Sequence, residues 1–184
     1  MKAVLISIQP KWCELIASGK KTIEVRKTRP KIETPFKCYI YCTKQRNVSD
    51  EYWVNRNRHI YIDNGKVIGE FICDNIICSQ AYYGNSGEKH LTNLFGVDIK
   101  GTCLSMQDIF DYVIGKDKKD GTGWLWHISD LKIYEKPKNL VFYKPCPKKW
   151  QNCPGCEFYS SYTGCCFNQV KRAPQSWCYV EELK

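Results

Sequence analysis

Within the eight residues Gly19-Lys20-Lys21-Thr22-Ile23-Glu24-Val25-Arg26 the chain sets two cations and a carboxylate at fixed spacing behind a glycine. Read as an extended run, residues 21–26 have period two, so that Ile23 and Val25 face one way and Thr22, Glu24 and Arg26 the other. One side is core and the other is chemistry. Gly19 permits a sharp backbone turn and the close approach of a ligand phosphate. Lys21 supplies a mobile point charge, whereas Arg26 offers a planar fork that suits a phosphate or a base edge. Glu24, two residues away on the same face, can orient Arg26 or accept from an exocyclic amine. Cation, carboxylate and cation together suit a nucleoside better than a bare anion. The same Glu24 and Arg26 also read as an ion pair that only fixes strand register.

A second cluster lies toward the other end, where Cys146-Pro-x5-Cys153-Pro-Gly-Cys156-x8-Cys165-Cys166 gathers five cysteines in a proline- and lysine-rich stretch. The Cys-x-x-Cys turn brings two thiolates to one tetrahedral ion, and Cys146 with Cys165 or Cys166 would complete a four-sulfur shell around a structural zinc. Such a stretch buries little apolar area, so a metal would supply folding energy. The adjacent pair departs from the common zinc-ribbon spacing and leaves the fourth ligand ambiguous. A redox Cys-x-x-Cys, unbound thiols and disulfides are the other readings.

The elements that hold these groups follow from periodicity. Residues 3–8 read as a strand, and Pro10 opens a helix carrying Trp12, Leu15 and Ile16 at helical spacing until Ser18-Gly19. Residues 36–42 alternate and read as a half-buried strand, with Cys38 and Cys42 as core residues. Asn64-Gly65 between two apolar runs predicts a hairpin over 59–74. Residues 79–103 show little period and read as a long loop with one helical turn. Ser105, with Asp108 three residues on and Gly115 as a stop, frames a short helix. Residues 124–134 alternate as one strand, in which Trp124, Trp126 and Ile128 share a side, and His127 on the other side reads as a structural histidine. Prolines 137, 145, 147 and 154 then change the character of the chain, giving a domain over 1–143 and an appendage over 144–184, with a last strand at about 174–181 returning to the domain. The pattern predicts an α+β, barrel-like domain with two or three short helices.

Composition sets the class. A chain of 184 residues, 43% hydrophobic and 26% charged, is globular with one real core. The net charge of +9 is unevenly spread, with nine Lys or Arg against two Glu over residues 18–46. Such a face attracts polyanions by counterion release, or serves as a solvated basic surface. Aromatics are 14% of the chain, and Trp12 and Trp177 are the ones read as stacking partners in the basic cleft. The apolar start is too short for a signal-peptide core and no segment spans a bilayer, so twelve cysteines point to a reducing, cytoplasmic setting.

The motif Gly19-x-Lys21-x-x-Glu24-x-Arg26 resembles the signature of the ASCH family, a branch of the PUA-like superfamily. The preceding helix, the strand at 36–42, and the segments 66–71, 123–128 and 174–180 are similar to parts of small bacterial and phage-encoded ASCH proteins. The resemblance implies a PUA-like mixed β-barrel that binds RNA or a nucleotide through Gly19, Lys21, Glu24, Arg26, Trp12 and Trp177. It also raises an alternative, because some ASCH proteins are amidohydrolases of acetylated cytidine using a Lys, a Thr three residues later and a distant Glu. Here the Thr position holds Glu24, so a hydrolase would need a rearranged set of Lys21, Thr22, Glu24 and Glu70. A protein-interaction module acting on a phage or host partner is the third reading.

Overall fold

The computed structural model describes residues 1–44, 51–54, 60–63, 65–94, 96–116, 118–143, 170 and 172–183. It divides into two compact units, the first built from Met1–Glu14, Lys37–Phe71 and Leu131–Lys184, the second from Leu15–Phe36 and Ile72–Asp130.

The first unit is organised on β1 (Lys2–Ile8), a strand buried along nearly its whole length. That burial explains why its sequence is a continuous apolar run: a strand covered on both faces has no solvent side to alternate with. It pairs in parallel with β3 (Phe36–Cys42) and antiparallel with β11 (Trp177–Glu181). With β6 (Val67–Cys73) and β10 (Ser129–Lys138) these make a five-stranded sheet in the order β10-β6-β3-β1-β11. Ala3, Leu5, Tyr39, Tyr41, Val67, Tyr143 and Val180 form its core. Cys38 and Cys42 are fully buried. Pro137 fits β10 because this is an edge strand, where a missing N–H breaks no ladder.

The second unit is a four-stranded antiparallel sheet in the order β2-β9-β7-β8, from β2 (Ile23–Arg26), β7 (Ile76–Tyr83), β8 (Lys89–Leu91) and β9 (Asp120–His127). Helix α2 (Met106–Ile114) covers one face, packing Ile109, Phe110, Val113 and Ile114 on Ile23, Val25, Ala81 and Leu125. Its start carries the capping box read from the sequence, with the Ser105 side chain accepting from the Asp108 amide and the Asp108 carboxylate receiving the Ser105 amide. Close packing requires glycine beneath it. A Cβ at Gly123 would stand 2.6 Å from Val113 Cγ2, and one at Gly121 2.7 Å from the Val113 carbonyl.

The other α-helix among the described residues is α1 (Pro10–Ala17). No described helix is long and apolar enough to cross a membrane.

Four expectations change. No closed barrel is seen among the described residues, whose strands lie in a five-stranded, a four-stranded and a two-stranded sheet. The run at 124–134 is two strands, since the chain leaves one ladder after His127 and enters another at Ser129, with Asp130 at φ 46 in the bend. The hairpin expected over 59–74 is also redistributed. There β5 (Ile60–Asp63) pairs with β4 (Glu51–Val54), while β6 is buried on both sides and takes β3 and β10 as neighbours. Finally, the stretch expected as a loop from residue 79 contains most of β7 and all of β8. Its buried face carries only Ser79 and Ala81, too small to register as a hydrophobic period.

Candidate functional site

Helix α1 ends where Gly19 turns into the left-handed region at φ 74. The Gly19 amide donates to the Ile16 carbonyl at 2.8 Å, and those of Lys20 and Lys21 both donate to Leu15 at 2.9 Å. The chain thereby satisfies the last helical carbonyls and enters β2 with the Lys21 side chain turned inward. Lys21 Nζ donates to the carbonyls of Ile23 at 2.8 Å and Thr102 at 2.7 Å, and lies 3.4 Å from Glu24 Oε2. On the other carboxylate oxygen, Glu24 Oε1 stands 3.0 Å from Arg26 Nε. The two cationic heads thus converge on one carboxylate. All three are also interior groups, with exposures of 2%, 6% and 8% for Lys21, Glu24 and Arg26. The trio is a buried ionic network and not the rim of an open hollow.

This geometry limits the chemistry. The Lys21 head is held by two carbonyls and a carboxylate at the root of β2. Thr22 is half-buried; its amide donates to Gly101 and its carbonyl accepts from Ile128, each at 2.8 Å. Glu70 belongs to the first unit and is engaged there: Tyr134 Oη donates to Oε2 at 2.5 Å, and Lys37 Nζ lies 3.5 Å from Oε1. Trp12 and Trp177 are likewise in the first unit, Trp12 under Lys11 Nζ at 4.3 Å and Trp177 edge-on to Tyr179 at 5.4 Å. Gly19, Lys21, Glu24 and Arg26 are therefore gathered within the second unit, whereas Glu70, Trp12 and Trp177 are built into the first.

Beyond Arg26 the chain emerges. Lys27, Thr28 and Arg29 are exposed, and two of them meet aromatic rings of the same unit: Lys27 Nζ stands 5.4 Å from the Tyr112 ring and Arg29 5.2 Å from Trp124. Tyr112 also feels the buried network, since burial raises its phenol above the ordinary range, Arg26 lowers it and Glu24 raises it further. The basic run announced Lys27 and Arg29, but their aromatic partners lie on another helix and strand, beyond the reach of local pattern.

His127 sits on β9 with Nδ1 2.6 Å from Asp74 Oδ1, both exposed. Burial works to raise the Asp74 carboxyl, but the hydrogen bond and charge of His127 outweigh it and hold the carboxyl below its usual range. Beside it, burial pushes the Cys73 thiol up to about 12, with the Asp74 charge adding, so this thiol is no nucleophile near neutral pH.

Cys146, Cys153, Cys156, Cys165 and Cys166 lie outside the described residues. Among the described residues no cluster of three or more His, Cys, Asp or Glu is arranged to hold a metal.

Residues 6–91 match the family model of the ASCH domain. No curated protein matches the chain at a significant level. Among solved structures, the fold is similar to that of an ASCH protein from Zymomonas mobilis, at 19% identity and a TM-score of 0.54, covering 98% of this chain and 88% of that one. A mutant of the same Zymomonas mobilis protein aligns at 19% identity and a TM-score of 0.52, covering 98% and 89%. At this identity the likeness is one of fold. The motif at Gly19, Lys21, Glu24 and Arg26 lies within the stretch, residues 6–91, that matches the ASCH-domain model, and the chain shares its fold with ASCH proteins.

Proposed function

We propose that this chain binds RNA or a nucleotide-like ligand through the basic segment that runs out of the Lys21, Glu24 and Arg26 network. The observation that carries this reading is the convergence of Lys21 and Arg26 on a single carboxylate, directly before Lys27 and Arg29 emerge against Tyr112 and Trp124. A buried network fixes the root of the strand. The exposed cations then stand at defined positions, each backed by a ring on which a base can stack. ASCH domains are generally associated with nucleic acid, which agrees with this reading. A cytoplasmic setting belongs to the same proposal and rests on the reading of the twelve cysteines as those of a reducing compartment.

The test is retention of a structured RNA against rising salt. Alanine at Lys27 and at Arg29 should each weaken binding and lower the slope of log affinity against log salt, by about 0.7–0.9 for every phosphate no longer neutralised. Arg26→Lys, which keeps the charge and loses the fork, should weaken binding with less change in slope. Affinity and slope unaltered in all three variants would refute the site.

For the cysteine-rich segment we propose a structural zinc held by Cys146, Cys153, Cys156 and one of Cys165 and Cys166. Elemental analysis of the purified protein should give about one equivalent, with Cys153→Ser abolishing it. Wild-type protein carrying less than about half an equivalent after mild purification would count against the site.

A further inference from the structure

The segment that follows β2 is tied down at both ends within the second unit. Near its start Arg29 stands 5.2 Å from the Trp124 ring, and at its end Phe36 meets Trp126 edge-on, with ring centroids 5.9 Å apart at 82°. Trp124 and Trp126 lie on one face of β9, so residues 29–36 run along that strand and reach the head of β7. There Arg29, Ile32, Glu33 and Thr34 meet Asn75 and Ile76 around a pocket of about 330 Å3. One lining residue is a cation and one a carboxylate. Among the described residues neither forms an ion pair, with the other or with a third group, and Arg29 is braced by the Trp124 ring instead.

We propose that this pocket binds a free α-amino acid with an aliphatic side chain, a site that goes beyond the RNA-binding reading and shares only Arg29 with it. Two opposite charges that line one small cavity without reaching each other leave a gap. A ligand carrying both signs on one carbon bridges it. Arg29 takes the α-carboxylate through its planar fork, and Glu33 accepts from the α-ammonium. A bare phosphate would face Glu33 and a polyamine would face Arg29, so a ligand of single sign meets one repulsive wall. Ile32 and Ile76 give apolar contact to the side chain, while Thr34 and Asn75, each able to donate and accept, serve the remaining polar positions. The volume is at the small end of the range for ligand sites, which suits a molecule of this size. Because the ring contacts of Arg29 and Phe36 hold the wall before a ligand arrives, binding requires little ordering of the segment.

The experiment is an NMR titration of the full chain, following backbone amides, with L-leucine, with N-acetyl-L-leucine, which lacks the ammonium, and with L-leucinamide, which lacks the carboxylate. The two blocked forms also stand for the carboxyl and amino ends of a peptide. L-leucine should shift the amides of Arg29, Glu33 and Asn75 saturably. Each blocked form should bind at least roughly tenfold more weakly, because it leaves one pocket charge without its partner. Arg29→Gln and Glu33→Gln should each weaken L-leucine binding roughly tenfold. Both residues are exposed, so thermal unfolding should not move. Glu33→Gln removes no cation and should leave RNA retention undiminished, which separates this site from the basic segment. No saturable shift by about 10 mM L-leucine, equal binding of either blocked form, or wild-type affinity in both variants overturns the inference. The RNA-binding reading stands or falls on its own variants.

Discussion

The two units each build an ionic cluster, with opposite stoichiometry. In the first, one cation serves two carboxylates: Lys37 Nζ lies 3.5 Å from Glu70 and 3.3 Å from Glu182, with Tyr134 donating to Glu70. In the second, one carboxylate serves two cations, Lys21 and Arg26 on Glu24. Exposure separates them further. The Lys37 and Glu70 side chains are about a quarter open to solvent, whereas Lys21 and Glu24 are nearly sealed. The first cluster thus reads as a tie that joins β3 and β6 to the chain just after β11. The second is a rigid foot under a basic surface, and its worth is positional.

Carboxylate removal should expose this difference most strongly. Glu24→Ala leaves two buried cations without their shared partner and should destabilise by roughly 3–5 kcal/mol in urea unfolding, whereas Glu70→Ala, in a wetter cluster, should cost about 1–2 kcal/mol. Equal losses would erase the distinction between foot and tie. A smaller effect is expected from Gly123→Val, which drives methyl groups into Val113 and should cost about 1–3 kcal/mol by overpacking. Hydrogen exchange should then report the loss in β9 and α2 before β1 and β3. If protection fell equally in all four, the units would not be separable.

The smallest effect concerns pH. The folded carboxyl of Asp74 lies below its usual range, so its contribution is present above the unfolded pKa of about 3.9 and is lost as pH falls through the lower folded value. Both partners being exposed, the contribution should be under about 1 kcal/mol. Asp74→Asn should therefore be slightly less stable than wild type at neutral pH and should converge on it as pH falls through the depressed folded value. A constant gap across that range would mean that the pair contributes no linkage.

What the sequence disclosed depended on whether the deciding interaction was local. The capping box of Ser105 and Asp108, the end of α1 at Gly19 and the alternation of β3 all act within a few residues and were legible. Strand period put Glu24 and Arg26 on one face, but it neither placed Lys21 with them nor showed the burial of the trio. That burial depends in part on the Thr102 carbonyl, 81 positions from Lys21. Strand β7 escaped because its inward residues are small, and the change of sheet after His127 escaped because an alternating pattern does not say which ladder it joins. The aromatic partners of Lys27 and Arg29 were hidden for the same reason as Thr102: they come from distant elements.

The register of β1 with β11 sets an order of events when the polypeptide is made. Lys2 faces Glu181 and Ile6 faces Trp177, so one side of β1 waits for residues made more than 170 positions later. Everything in the second unit, from Leu15 to Asp130, has emerged by then. A nascent chain therefore has its helix-backed sheet available for folding first, while β1 keeps a row of unsatisfied amides and carbonyls that a chaperone, or another nascent copy, can occupy in the interval.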